Sequence, residues 1–377
     1  MAVFSNAAAV DVDDFRDQIV GKTVTMYHTK KDMEFTRYFA EDGTLKEIHP
    51  TQGYRTGNWS IDGDELCLAI SGTSAKCRRI VHKHGVWGTS NKKGNKLVVE
   101  FNEFADGDRI PAPRASDEPV GQIHEELVTL DTRPGVTQSF LLIEPRGTPK
   151  GVVLLYPGHE GVVRFHKVGD QYSVENEGGG LTAHERIREI LSQSGYVTVV
   201  LAPPSDHSSG MDTKFRFSDE HAEDARVVIA YLNRRYNHKV YVEGHCRSTF
   251  SPPAVIGKLN NEGIAGMILS STRSEGKQGS VMDLPSSQVK VPVLLVHHVD
   301  DPCKGTPFRR LGDVRAFYAK SAPEVAVITV SGGSNERGSK TYGCSGGYHG
   351  FKDMRRPVVE GIVEWLEGDR TDKSITP

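Results

Sequence analysis

Val240-Tyr-Val-Glu-Gly244-His-Cys246-Arg-Ser248-Thr249 is a short apolar run that ends in Gly-x-Cys-x-Ser. A strand that breaks into a sharp turn and then a helix puts the middle residue of such a motif in a strained, exposed position. Small residues on either side let the backbone pass. The layout is that of a nucleophile elbow with Cys246 at its apex. The usual text is Gly-x-Ser-x-Gly, so Cys246 and Ser248 both depart from it. An ordinary buried thiol at a strand end is the competing reading.

Outward from the elbow, apolar runs recur at Gly151–Tyr156, Val197–Leu201, Val240–Val242, Ala265–Leu269, Val291–Val296 and Val325–Val330. Their length and β-branched content suit strands buried on both faces. Helical patterns lie between them at Ala183–Ser194, Asp219–Arg235 and Pro307–Lys320, with a last one at Arg356–Glu367. This alternation specifies an α/β architecture, a mostly parallel, doubly wound sheet. Gly178-Gly-Gly180 reads as a turn before the helix at Ala183, because no Lys-Ser/Thr follows to make a phosphate loop.

Two later segments hold partners for the elbow. After the run at Val291–Val296 comes His297-His-Val-Asp300-Asp301-Pro-Cys303, and ahead of the last helix comes Gly343-Cys344-Ser-Gly-Gly-Tyr348-His349-Gly350-Phe351. Nucleophile, acid, histidine is the chain order of the α/β-hydrolase triad, and loops after these strands reach the same sheet edge as the elbow. The residues alone leave Asp300 and Asp301 both open as the acid. In such a fold the oxyanion donors are the backbone N–H after the nucleophile, here Arg247, and the loop after the first central strand, here Gly158-His159-Glu160. Asp206, Arg216 and His221 fall beside the site; they bind substrate or pair with one another to hold the loop. Arg247 meets an acidic substrate group or a carboxylate of the chain itself.

The 377 residues carry 46 Lys+Arg against 49 Asp+Glu, a net charge of −3, which excludes a polyanion binder held by bulk charge. Hydrophobic residues at 37% are too many for a disordered chain, and no run of eighteen apolar residues exists to span a membrane. Asn91-Lys-Lys-Gly-Asn-Lys96 is a basic hairpin tip too short to argue nucleic-acid binding. His28, His49, His82, His84 and His166 show no zinc spacing, so neither metal nor other cofactor is expected.

Residues 15–105 read as a different unit. Thr23–Tyr27, Phe35–Phe39, Gly57–Ile61, Leu66–Ile70, Cys77–Val81 and Lys96–Phe101 are short strands, with turn signals at Asp42-Gly43 and Asp62-Gly63. They make an antiparallel meander or small barrel. Residues 106–120, with Pro111, Pro113 and Pro119, have linker composition, and 121–370 form the α/β domain. Cys67 and Cys77 lie together, Cys303 and Cys344 flank a later segment, and Cys246 is left over. That arithmetic fits an exported protein with two disulfides and one reactive thiol, or five reduced thiols in a cytosolic one. Val3-Phe-Ser-Asn-Ala-Ala8 has the small residues of a signal-cleavage remnant.

With these residues in view, the chain resembles a group of bacterial, often exported α/β-hydrolases whose substrates are mostly unassigned. The matching blocks are Thr132–Gln138, Pro157–Gly161, Ala202–Asp206, Ser209–Met211, Phe215-Arg216, His221–Asp224, the elbow, His297–Cys303 and Tyr348–Phe351, in order over roughly residues 120–367. The resemblance implies a triad of Cys246, Asp301 and His349 and a Cys303–Cys344 disulfide. Most members carry Ser at the elbow. Residues 20–88 resemble a separate small exported β domain through Gly21–Thr23, Tyr38–Thr44, Gly57–Ser60 and Asp62–Cys67, which implies a Cys67–Cys77 link and an envelope address.

These readings together give a periplasmic or secreted hydrolase that takes a small-molecule carboxylic ester, lactone or thioester through a thioacyl intermediate. The dienelactone hydrolases resemble it in having a Cys/His/Asp triad. Three other readings are compatible with the residues: a binding or scaffold protein on the hydrolase fold, an acyltransferase, and a serine hydrolase carrying an engineered Ser-to-Cys change.

Overall fold

A computed structural model of the chain describes residues 11–29, 33–49, 53–70, 76–83, 85–90, 97–111, 124–145, 147–168, 171–176, 185–335, 343–344 and 347–376. It divides into two compact units, Met1–Gly121 and Gln122–Pro377. The basic tip at 91–96, the glycines at 178–180, Pro113, Pro119 and the stretch Val3–Ala8 lie outside the described residues.

The first described element is helix α1 (Val12–Ile19), ahead of the first strand read from sequence at Thr23–Tyr27 and overlapping the expected start of the β unit at residue 15. Asp11 caps it by accepting the N–H groups of Asp13 and Asp14 at 3.1 Å. Phe15 and Ile19, one turn apart, supply its buried face, and Phe15 packs 5.3 Å from Trp87 and 5.5 Å from Phe101. Eight strands follow as an antiparallel meander that closes into a barrel. They are β1 (Lys22–His28), β2 (Met33–Phe39), β3 (Thr44–His49), β4 (Gly53–Asp62), β5 (Glu65–Ile70), β6 (Lys76–Lys83), β7 (Val86–Ser90) and β8 (Leu97–Asp106). Gly43 and Gly63 turn with φ of 81° and 55°, as the two Asp-Gly signals require. Cys67 and Cys77 face each other across β5 and β6 and are joined. Part of the expected linker stays on the barrel: Gly107 bridges to Lys22, and the Arg109 N–H donates to Thr23 Oγ1 at 2.9 Å.

In the second unit a nine-stranded sheet is assembled from β9 (His124–Arg133), β10 (Val136–Glu144), β11 (Gly151–Tyr156), β14 (Tyr196–Leu201), β15 (Val240–His245), β16 (Ile264–Ser270), β17 (Val293–His298), β18 (Val325–Val330) and β19 (Lys373–Ile375), while β12 (Val163–Val168) and β13 (Gln171–Asn176) form a separate hairpin. The order is β19-β18-β17-β16-β15-β11-β14-β10-β9. Neighbours from β14 to β19 are parallel, and β10 and β9 run antiparallel at one edge. The six runs read as strands from sequence are all in this sheet. Both hairpins and the edge strand β19 were not legible as such.

Helices α2 (Glu185–Gln193), α3 (Thr213–Arg216), α4 (Asp219–Tyr236), α5 (Ser251–Lys258), α6 (Leu311–Tyr318) and α7 (Arg355–Leu366) complete the unit. Successive residues of β11 serve opposite cores, as a strand's period of two dictates. Val152, Leu154 and Tyr156 join α4, α5 and α6, whereas Val153 and Leu155 join α2 and α7. The sheet is thus covered on both faces. No helix of the described residues is long and apolar enough to cross a membrane.

Candidate active site

β15 ends at His245, and Cys246 follows with φ of 56°, a left-handed conformation that a non-glycine residue rarely adopts. A 3₁₀ turn over Cys246–Phe250 then leads into α5, whose Pro252 and Pro253 fit a first helical turn. Gly244 is required here: a Cβ on it would stand 2.6 Å from the Ser248 carbonyl oxygen. Ser248 has a different task from the glycine it replaces. Its buried hydroxyl accepts the His245 N–H at 2.8 Å and donates to the Tyr156 carbonyl at 2.7 Å, tying the elbow to the end of β11.

Two other strand ends bring side chains to Cys246. The Asp301 carboxylate, beyond β17, meets His349 Nδ1 with both oxygens at 3.0 Å. It also accepts the Thr306 hydroxyl at 2.8 Å and the Cys303 N–H at 2.9 Å, and His297 Nε2 lies 3.3 Å away. With the carboxylate opposite Nδ1, that nitrogen carries a proton, and Nε2 is the nitrogen left to take or give one. His349 Nε2 has no nitrogen or oxygen partner among the described residues, and a ring nitrogen of His349 lies within 4.8 Å of Cys246 Sγ. Asp300 is exposed and gives its backbone N–H to His298 Nδ1 at 3.0 Å. Of the two adjacent aspartates, only Asp301 reaches His349.

These placements set the charges. Burial pushes the Cys246 thiol up, but His349, Arg273 and the Arg247 N–H outweigh it and leave the thiol below its ordinary value. Burial depresses His349, yet the thiolate and Asp301 raise it to about 10. Burial opposes ionisation of Asp301, and the bonds from His297 and His349 hold it far below the carboxylate range. The pair therefore favours thiolate with imidazolium. His245, packed edge-on 4.9 Å from His349, stays neutral because burial and the neighbouring imidazolium both lower it.

Around the elbow, the loop after β11 lies beside β15, with Tyr156 paired to Gly244. His159 turns there with φ of 57°. Glu160 does not stand free: its carboxylate pairs with Arg247, so that guanidinium has a partner within the chain. Arg216 is fully buried and donates to Ser251 Oγ at 2.9 Å and to the His159 carbonyl at 3.3 Å. Burial and Arg247 lower it to about 10.

The three residues read as substrate binding or mutually paired do not pair with one another. Asp206 accepts from Arg133 at 3.0 Å and lies 3.0 Å from His207 Nδ1. Arg133 also donates to Asp224 at 2.9 Å, and Asp224 accepts the Thr132 hydroxyl at 2.5 Å. Three of the quoted sequence blocks thus meet in one ion network between β9, α4 and the loop after β14. His221 is buried against Tyr156 and Phe215, and burial lowers it to about 3. Its two ring nitrogens, Tyr156 Oη and Arg216 Nε are buried without partners among the described residues.

The Cys303–Cys344 disulfide joins the Asp301 loop to the His349 loop, and Cys246 is a free, buried thiol. Cys246, Cys303 and His349 offer ligand atoms within 4.8 Å of one another. With Cys303 oxidised, two donors remain, fewer than a structural or catalytic zinc uses. Sequence reasoning missed the roles of Thr306, His297 and Arg273. His297 and Thr306 lie in or beside the Asp301 motif, Arg273 lies near none, and the roles of all three come from tertiary placement.

No protein-family model and no curated protein matches this chain. Among solved structures, a dienelactone hydrolase from Anabaena variabilis is similar at 15% identity and a TM-score of 0.45, over 65% of this chain and 98% of that one. A cold-adapted esterase from an Arctic intertidal metagenomic library is similar at 15% identity and a TM-score of 0.45, over 68% and 98%. A carboxyl esterase from Bacillus coagulans is similar at 12% and 0.46, over 66% and 99%.

Proposed function

We propose that this chain is an α/β-hydrolase that opens a small carboxylic ester, lactone or thioester with Cys246 as nucleophile, His349 as general base and acid, and Asp301 as the group that orients the imidazole. The observation that carries the reading is the strained turn at Cys246, whose sulfur lies within 4.8 Å of a ring nitrogen of an imidazole held at Nδ1 by a buried carboxylate. A structural thiol needs none of that.

The Cys246 thiolate adds to the acyl carbon, and the oxyanion is held by the Arg247 N–H and the backbone of the His159-Glu160 loop. The C–O or C–S bond breaks as His349 gives its proton to the leaving alcohol or thiol. A water molecule, deprotonated by His349, then opens the thioacyl bond and frees the carboxylic acid and the thiolate. Asp301 keeps the imidazole in register and favours its charged form. Asp206 acts by holding its loop, and Arg216 by supporting the His159 carbonyl. The two disulfides, Cys67–Cys77 and Cys303–Cys344, support a periplasmic or secreted address.

The test is intact-mass spectrometry after incubation with p-nitrophenyl esters, thioesters and lactones, with Cys246→Ala as control. An acyl increment confined to the Cys246 protein, with released product, is expected. No increment and no turnover across the panel would favour a binding protein on this fold.

A further inference from the structure

Cys246 has a second electrophile within reach. Cys303 Sγ lies within 4.8 Å of Cys246 Sγ and of a His349 ring nitrogen, and it is one half of the disulfide to Cys344. Thiol–disulfide exchange needs a thiolate, an approachable disulfide sulfur and a leaving thiol. The first is the charged form that His349 favours. For the second, Cys303 is almost wholly buried and faces the elbow, so an external thiol has poor access where Cys246 is already present. Its N–H is fixed on Asp301 Oδ1 at 2.9 Å, so the carboxylate that orients the base also positions the electrophilic sulfur. As for the third, Cys344 is only half-buried.

We propose that Cys246 exchanges intramolecularly with the Cys303–Cys344 disulfide, giving the chain a second, masked state with a Cys246–Cys303 bond. The Cys246 sulfur forms a bond to Cys303 Sγ, the Cys303–Cys344 bond breaks, and the electron pair leaves on Cys344. His349 takes the Cys246 proton, and the Cys344 thiolate is protonated by it or by water. One thiol and one disulfide exist before and after, so no oxidant is consumed. The acylating thiol is withdrawn and the reactive sulfur moves from a buried position to a half-buried one. Attack of Cys344 on Cys303 reverses the step. The inference uses the thiolate of the proposed hydrolase, but it needs no substrate.

Full-length protein prepared without reductant is held at a series of pH values, quenched in acid, alkylated with N-ethylmaleimide and mapped as unreduced peptides. The expected result is a Cys246–Cys303 linked pair with maleimide on Cys344, beside the Cys303–Cys344 pair, and loss of the new pair in Cys246→Ser. Maleimide on Cys246 alone at every pH would overturn the proposal. In folded Cys344→Ser, with native circular dichroism, oxidised glutathione should close Cys246 onto Cys303 and abolish iodoacetamide uptake until dithiothreitol is added. Two thiols that stay free, or that each take up glutathione, would overturn it as well. A linked pair with no ester turnover even by the Cys303–Cys344 form, whose Cys246 is free, would sink the hydrolase reading and leave the exchange standing; turnover without a linked pair would do the reverse.

Discussion

Both carboxylate oxygens of Asp301 stand 3.0 Å from His349 Nδ1, and the carboxylate is fully buried. Asp300, one residue earlier, points to solvent. In the proposed reaction the carboxylate sets the imidazole tautomer and steadies its charge. Asp301→Asn should lower kcat/KM by roughly 10²- to 10⁴-fold, as loss of a triad acid does elsewhere. Asp300→Asn should change it within about twofold, since exposed substitutions shift free energies by less than ~0.5 kcal/mol. Steady-state kinetics on one activated ester decides between them.

The coupled charges of Cys246 and His349 set a pH window. The thiol lies below its ordinary value, because burial, which raises it, is outweighed by His349, Arg273 and the Arg247 N–H, so thiolate forms as pH rises through a midpoint lower than that of a free cysteine. His349 is raised to about 10, so the imidazolium that protonates the leaving group is lost only above that. Iodoacetamide uptake should therefore rise at lower pH than for a free cysteine, and hydrolysis should fall on an alkaline limb near pH 10. Pseudo-first-order alkylation rates across pH would show this. A midpoint at or above the free-cysteine value would contradict the thiolate–imidazolium pair.

Arg216 stands in the motif Phe215-Arg216 and reads from sequence as a substrate ligand or a partner that holds its loop, and it is fully buried. It holds Ser251 Oγ and the His159 carbonyl together. Arg216→Ala removes a large buried side chain and leaves both acceptors unpaired, so a loss of about 2–4 kcal/mol is expected. Arg216→Lys keeps the charge but not the planar fork that makes two bonds at once. Urea unfolding of the two variants would test the structural role; a wild-type midpoint for Arg216→Ala would refute it.

What could be read in advance follows from how each signal is encoded. The elbow and the strands around it are local patterns: Gly244, Cys246 and Ser248 sit at fixed offsets, and the runs at Gly151–Tyr156 and Val325–Val330 have the bounds of their strands. Helix α1 escaped because its apolar face amounts to Phe15 and Ile19 among acidic residues. The edge strand β19 is three residues long, too short to carry a pattern. Thr306 and His297 act on Asp301 only once the loop after β17 has folded back. No spacing reveals that.

In the barrel, Glu47 is fully buried and pairs with two arginines, Arg37 at 2.6 Å and Arg55. Burial opposes its charge, and the two guanidinium groups more than offset that, leaving it below the usual carboxylate range. Removing one partner of such a group strands the others. Glu47→Ala should destabilise the barrel by about 3–5 kcal/mol, seen as a lower denaturation midpoint by tryptophan fluorescence of Trp59 and Trp87.

Ser248 separates the geometry of the elbow from its chemistry. Glycine is usual at this position and would fit sterically, but the Ser248 hydroxyl satisfies the His245 N–H and the Tyr156 carbonyl, both at strand ends beside Cys246. Ser248→Gly or Ser248→Ala leaves those groups without their partner in a buried place, at about 1–3 kcal/mol. The Cys246 backbone, already in a left-handed conformation, is held by the same turn, so its relaxation moves Sγ away from His349. Both variants should lose stability and also shift the alkylation midpoint of Cys246 upward toward the free-cysteine value. Reduced stability with an unchanged midpoint would mean that the hydroxyl supports the fold alone and that the sulfur is positioned by other contacts.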